Sequence, residues 1–513
     1  MAQNILAIDQ GTTGTTTMVI GAGGRVLGRA YREIGQRYPQ PGWVEQNPEE
    51  IYQSVIEAGR AAIRRARIGS RAVTAIGIAN QRETFVLWER TSGRPVHPAI
   101  VWQCRRSADI CRRLASREAE IIARTGLLVD PYFSATKLKW LLDNHPDLRR
   151  RARRGELCFG TIDSWLVFRL TRGAVFVTDF TNASRTMLFN LERMDWDPAM
   201  LRLMRVPEEL LPRVIASRGP LAEAAAGTLA AHPIPIAALI GDQQAAMYGQ
   251  GAVRAGQAKA TYGTGAFLLI HTGHRRVRSH ERLISTTALT ADGRPAFALE
   301  GSVFIAGAAI QWLRDKLGLI RKASDSLSFA HQSPSQSHPY LVPAFVGLGA
   351  PYWDSEARGA IVGITRGTTR ADIVRAALDS IAYQVADVAS AMERDVGVPV
   401  RELRVDGGAS ANDYLMQFQA DLLGRRIRRP VLTEATALGA AMLAGLAVGT
   451  WKSPAALEAL RRTERVFTPS MNPGTRAALL DGWHRAVARV LTGERGPRAL
   501  VRKRRSRLRN RRV

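Results

Sequence analysis

Residues 4–21 read NILAIDQGTTGTTTMVIG, two apolar runs either side of a Gly-Thr-Thr-Gly turn. A third run, RVLGRAYREI (25–34), follows the glycine-rich turn at Gly21–Gly24, so the chain is expected to open as a meander of three strands. Farther out, AVTAIGIANQ (72–81) and IPIAALIGDQ (234–243) are apolar runs ending in polar residues, the pattern of buried strands that deliver side chains to a cleft. Ile373, Val374, Ala377, Leu378, Ile381, Ala382 and Val385 make one apolar stripe at helical spacing. RELRVDGG (401–408) returns to a strand, and a helix is expected to begin near Asn412. Strands alternating with helices in both halves indicate an α/β protein. The stretch YGQGAVRAGQAKATYGTGAF (248–267) repeats the Gly and Thr content of the opening hairpin, which suggests a second half built like the first. The break is placed near Gly249–Gly256, giving domains at 1–250 and 251–494 and a basic tail at 495–513 expected to be disordered. Asp325–Pro339, rich in Ser, His and Gln, reads as a surface loop.

The 513 residues, 46% hydrophobic and 23% charged, suffice for two or three folded domains and exclude a wholly disordered or collagen-like chain. Three cysteines without a CxxC pair (Cys104, Cys111, Cys158) exclude a disulfide scaffold and read as intracellular thiols. No run reaches the ~20 apolar residues of a membrane span; the nearest, Ala435–Trp451, is rich in Ala and Gly and reads as a closely packed buried helix. With no basic lead before Asp9, a signal peptide is not expected, and the location is read as cytoplasmic. The net charge of +27 raises the question of nucleic acid, yet only seven of the 72 basic residues are Lys, and nine Arg and one Lys fall within 495–513. An arginine bias spread over every helix face favours a solvated basic surface; the tail leaves weak, salt-dependent RNA or acidic-lipid binding open.

There is no GxxxxGK[ST], no GxGxxG after a strand, no HExxH and no HRD with DFG, so P-loop, dinucleotide, zincin and protein-kinase chemistries lack their machinery. His271 and His274 share a short turn and read as surface residues. What remains is a set of small-residue loops beside carboxylates. In Asp9-Gln10-Gly11-Thr12-Thr13-Gly14, a hairpin without bulky side chains lets backbone N–H groups and Thr hydroxyls close around phosphate oxygens. Asp9 beside a polyphosphate is repulsive unless a cation bridges the two, which makes it a candidate Mg2+ ligand. Tyr262-Gly263-Thr264-Gly265 repeats this chemistry, and Val405-Asp406-Gly407-Gly408 opens a helix where a planar base could approach the backbone. Together they read as a nucleotide cleft between two domains.

Longer runs carry a resemblance: DQGTTG at Asp9, NQRET at Asn80, VWQCRR at Val101, YFSATKLKWLLDN at Tyr132, GDQQAA at Gly241, YGTGAF at Tyr262, LGAPYWDSEARGAIVGITRGT at Leu348 and DGGASAND at Asp406. From about residue 3 to about residue 490 the chain resembles the FGGY carbohydrate kinases, with NQRE, WQCRR and LGAPYWD pointing to the glycerol branch. The resemblance implies the two-domain ATPase fold of actin, hexokinase and Hsp70, with ribonuclease H-like domains and an interdomain active-site cleft. It implies Mg2+-dependent transfer of the ATP γ-phosphoryl group to glycerol, and an assembly of two or four copies.

The resemblance also distributes roles. Asp242, ending the apolar run Ile234–Ile240, matches the catalytic aspartate and is expected to act as general base and, with Asp9, to meet the metal. Arg82 and Glu83, side by side, would hold the substrate hydroxyls while offsetting each other's charge. Gln243 would orient the same hydroxyls, Trp102, Tyr132 and Phe267 would wall the carbon backbone, and Thr12 would serve both substrates. Thr12, Thr13, Gly14 and Thr264 would cradle the phosphates, and Gly307, Gln311, Gly408 and Asn412 would line the nucleotide site. Where many members continue the first loop as Ser-Ser-Arg, this chain has Gly14-Thr15-Thr16, so the positive charge usual there is missing. Another polyol or a ketose is the alternative substrate.

Overall fold

The computed structural model describes residues 3–333 and 339–492; the tail set apart above lies outside the described residues. The opening run forms β1 (Asn4–Gln10), β2 (Gly14–Gly21) and β3 (Val26–Glu33), the expected meander. Its first turn closes with Gly11 N donating to Gly14 O at 2.9 Å. Gly14 is required there: a Cβ would sit 2.4 Å from Tyr31 Oη and 2.5 Å from Arg32 O. In chain order the first half adds β4 (Val73–Asn80), β5 (Arg218–Ala224), β6 (Ile234–Gly241) and helix α1 (Asp242–Gly249).

The second half repeats the plan. It contains β7 (Ala258–Tyr262), β8 (Ala266–Gly273), β9 (Ile284–Leu289), β10 (Pro295–Val303), α2 (Gly307–Asp315), α3 (Arg370–Val396), β11 (Glu402–Asp406), α4 (Asp413–Leu423), β12 (Arg426–Pro430), α5 (Ala435–Ala447) and β13 (Thr463–Phe467). The sheets run β5-β6-β4-β1-β2-β3 and β9-β10-β8-β7-β11-β12-β13. Apart from the extra edge strand β9, the two match strand for strand: an antiparallel meander, two parallel additions, and an antiparallel edge. This is the two-domain architecture that the sequence led us to expect.

Helices α1 and α5 follow equivalent strands and cross each other between the halves. Their Gly and Ala content lets backbone touch backbone. A Cβ on Gly439 would lie 1.9 Å from Ala245 O, and one on Gly77 in β4 would lie 2.2 Å from Ala440 O. Helix α5, a part of the second half by chain order, thus packs on β1, β4 and β6 of the first.

Two expectations need correction. Asp325–Gln332 is a helix, not loop: its start is held where Asp325 Oδ2 accepts from the backbone N–H groups of Arg321 and Lys322, and Ser326 and Ala330 turn one face inward. His271 is buried, not on the surface. Its Nδ1 accepts from Gly273 N at 2.9 Å, so Nε2 is left to donate toward Leu289 O at 3.2 Å, and burial lowers its pKa. Among the described residues no helix is long and apolar enough to cross a membrane, and the three cysteines are free and buried.

Candidate functional site

Three parallel strands, β1, β4 and β6, end in register, with Asp9 and Ile240 both opposite Ala79 and Gly241 opposite Asn80. Their carboxyl ends therefore deliver Asp9, Arg82–Glu83 and Asp242 to one edge, the usual ligand side of such sheets. Asp242 opens α1 rather than ending the strand. Its Oδ1 lies 3.1 Å from Arg82 Nε and accepts from Gln243 N at 2.6 Å. Among the described residues both contacts fall on Oδ1, which leaves Oδ2 for a ligand. Burial first, and then the charges of Asp242, Asp406 and Glu434, push Asp9 up to about 8. Carboxylates from both halves thus converge on Asp9.

Arg82 and Glu83 offset each other's charge in part, and each also has a stronger partner that sequence reading missed. Arg82 Nη1 and Nη2 clasp Glu300 on β10 at 2.7 and 3.1 Å, and Arg185 bridges Glu83 (2.6 Å) and Glu300 (2.9 Å). All four side chains are essentially buried. Burial would raise Glu300, but Arg185 and Arg82 override it and hold the carboxyl at about 2. Glu83 also holds φ 61°, a left-handed conformation that costs a non-glycine residue roughly 1–3 kcal/mol and is fixed here by Ser134 Oγ donating to its carbonyl at 2.8 Å.

Asp179 braces both strand ends from below. It accepts from the backbone N–H and hydroxyl of Thr181 (2.9 and 2.6 Å) and from Asn182 Nδ2 (2.8 Å). Thr181 Oγ1 in turn accepts from Gly241 N, next to Asp242, at 2.8 Å, and Asn182 pairs with Asn80 near Arg82 at 3.1 Å.

Trp102 meets Tyr132 and Phe267 edge to face, with centroids 5.6 and 6.4 Å apart, and Phe267 comes from β8 of the second half. The three aromatics are therefore brought together across the cleft. Trp102 Nε1 donates to Thr12 Oγ1 at 2.9 Å, which ties this wall to the first loop. Buried Lys137 donates to the carbonyls of Pro131 (2.8 Å) and Tyr132 (2.6 Å) and so fixes the tyrosine backbone. Thr13 is exposed at the loop tip beside Gly14, and Thr16 stands opposite Asp9 in the hairpin.

On the second half, Thr264 O accepts from Ala306 N (2.8 Å) and Ala308 N (3.0 Å), and Gly307 N donates to Gly263 O at 3.0 Å. A Cβ on Gly307 would lie 2.6 Å from Gly263 O, so glycine lets α2 seat on the loop. Gly408 faces open space, while Gly407 (φ 85°) lies on the Tyr262 backbone, where a Cβ would approach Tyr262 O to 2.5 Å. Asn412 caps α4 by accepting from Leu415 N at 3.0 Å and donates to Ser326 Oγ at 3.2 Å. Gln311 is exposed on α2. A link between halves escaped sequence reading: Lys259 Nζ donates to Gln243 Oε1 and to Thr261 Oγ1 (2.9 Å), whose hydroxyl donates to Asp406. Burial draws this lysine down to about 8.

The model for the N-terminal domain of the FGGY family of carbohydrate kinases matches residues 4–249, and that for the C-terminal domain matches 258–448. The chain belongs to this family. A glycerol kinase of Dechloromonas aromatica is 54% identical over 95% of this chain and 98% of its own length, and one of Halorhodospira halophila is 53% identical over 96% and 97%. The crystal structure of Plasmodium falciparum glycerol kinase with ADP superposes with a TM-score of 0.89 at 35% identity, covering 96% of this chain and 99% of that one. The pairing of two matched sheets with small-residue loops at their facing edges is thus the FGGY kinase fold.

Proposed function

We propose that the chain transfers the γ-phosphoryl group of ATP to glycerol, giving sn-glycerol 3-phosphate and ADP, and does so in the cytoplasm. The observation that carries the reading is the Asp242 carboxylate, clamped through one oxygen by buried Arg82 at the edge shared with Asp9 and the aromatic wall. Its near-full-length relatives named glycerol kinase supply the choice of substrate.

A small triol has three hydroxyls and little apolar surface, so selection rests on charged partners whose own geometry is fixed. Glu300 and Arg185 provide that fixing for Arg82 and Glu83, and the aromatic wall covers the carbon chain. Asp242 Oδ2 takes the proton of the primary hydroxyl as its oxygen attacks the γ-phosphorus in line. Thr12, Thr13, Gly14 and Thr264 hold the phosphates, Gln243 orients the hydroxyls, and Gly307, Gln311, Gly408 and Asn412 border the nucleotide. Closure of the halves excludes water and limits ATP hydrolysis.

Magnesium fits the donor set. Asp9 and Asp242 are hard oxygen donors whose mutual repulsion contributes to the raised pKa of Asp9, and among the described residues no group of three candidate ligands forms a protein cage. This suits an ion that keeps its waters and binds phosphate oxygens. When bound, it would neutralise charge developing on the phosphates. A panel of glycerol, erythritol, dihydroxyacetone and xylulose in a coupled ADP-release assay tests the reading. Glycerol should give the highest kcat/KM; preference for a ketose, or ADP release independent of any polyol, contradicts it.

A further inference from the structure

At the link between the halves lies a cavity of about 220 Å³ whose lining includes none of the phosphate-loop residues. Five arginines line it, Arg25, Arg404, Arg428, Arg461 and Arg462, with no Asp or Glu in the lining. Its walls come from both halves: the β2–β3 turn at Gly23–Val26 on one side, and β11, β12 and the Leu460–Thr463 segment on the other. Gly249 and Gln250, at the link between the halves, complete the wall.

The positive charge is only partly compensated nearby. Glu402 is shared, lying 2.9 and 3.0 Å from Arg428 and 3.7 Å from Arg404, and Glu458 takes Arg461 at 2.7 Å. Among the described residues neither Arg25 nor Arg462 has an acidic partner. Burial, with the like charges of Arg428 and Arg461 adding to it, lowers the pKa of Arg404 in spite of Glu402. Two of the guanidiniums are also held in place. Arg404 Nη1 donates to Gln250 O, and Arg461 donates to Gly249 O (3.1 Å) and Tyr248 O (3.0 Å), at the end of α1. Positioned guanidiniums in a concave wall of one sign are suited to a compact anion with several oxygens.

We propose that this pocket binds a small, multiply charged phosphate-bearing anion, which bridges the two halves and thereby acts on their closure. Two features give it leverage. Arg404 stands two residues before Asp406 on the same face of β11, and Trp451 Nε1 donates to Ala22 O at 2.8 Å, docking the β2–β3 turn on the second half. An anion drawing Arg25 toward Arg428 and Arg462 would favour one relative placement of the halves, a coupling that works in both directions.

The test is calorimetric titration of pyrophosphate into the full-length protein loaded with saturating ADP in metal-free buffer, beside the variant Arg25→Glu/Arg462→Glu. Both substitutions are at exposed positions. Saturable binding near one equivalent is expected for the parent protein, weakened roughly tenfold or more in the variant, whose unfolding temperature and anion-free turnover stay unchanged. Absence of saturable binding to the parent protein overturns the proposal. So does equal binding by both proteins, which would place the anion in the nucleotide cleft or on the arginine-rich C-terminal segment.

Discussion

Arg82 serves two carboxylates with different tasks. Its Nε steadies Asp242, while Nη1 and Nη2 anchor on Glu300. Removing the Glu300 charge would leave Arg82 and Arg185 facing each other in a dry interior. Glu300→Gln should therefore cost roughly 3–5 kcal/mol, read from urea unfolding at neutral pH. The folded pKa of Glu300, about 2, lies below its ordinary value of 4.5, so its contribution is present above pH 4.5 and lost as pH falls through about 2. The difference between variant and parent should shrink over that window; a difference independent of pH would refute this assignment. Asp9 has the opposite sign. With its pKa raised from the ordinary 3.8 to about 8, Asp9 costs the ligand-free fold stability progressively as pH rises through that interval, and the cost is fully present above pH 8. Asp9→Asn should raise the unfolding temperature at pH 9, without nucleotide or metal, while abolishing turnover. A lowered unfolding temperature would contradict the raised pKa.

At the scale of elements, the crossing of α1 and α5 sets two effects against each other. Alanine in place of a helical glycine ordinarily gains about 1 kcal/mol of helix propensity. At Gly439 the added Cβ would stand 1.9 Å from the Ala245 carbonyl oxygen, a backbone atom that cannot swing aside. Overpacking at roughly 1–3 kcal/mol should win. Gly439→Ala is expected to lower the denaturation midpoint, and a stabilised variant would show that the helices can separate without cost. This region also marks the limit of sequence reading. The Ala and Gly content of Ala435–Trp451 predicted a closely packed buried helix, because small residues have few other uses in an apolar run. Nothing in the pattern said that it packs on the other half, since composition records how closely a helix packs and not against what. Asp325–Gln332 failed for a related reason: its Ser, His and Gln content reads as loop, while the helix depends on the docking of Ser326 and Ala330.

For the whole molecule, the duplicated sheet was legible from the two Gly-Thr hairpins, whose local turn chemistry leaves a direct mark in sequence. The Asp242 carboxylate was legible from the polar end of a buried strand and from the family's motif. Glu300, Arg185 and Lys259 were not. They lie outside the runs that carried the resemblance, 115 residues separate Arg185 from Glu300, and only the folding of both halves against each other brings these side chains to their partners. The proposed function puts the polyol chiefly on the first half and the nucleotide chiefly on the second. Chemistry should then be separable from nucleotide binding. The most direct measurement is single-turnover transfer from ATP to glycerol by the parent protein and Asp242→Asn, with the ADP dissociation constant determined in parallel. Transfer should fall roughly a hundredfold or more while ADP affinity stays within about threefold; near-normal transfer by the variant would contradict the account.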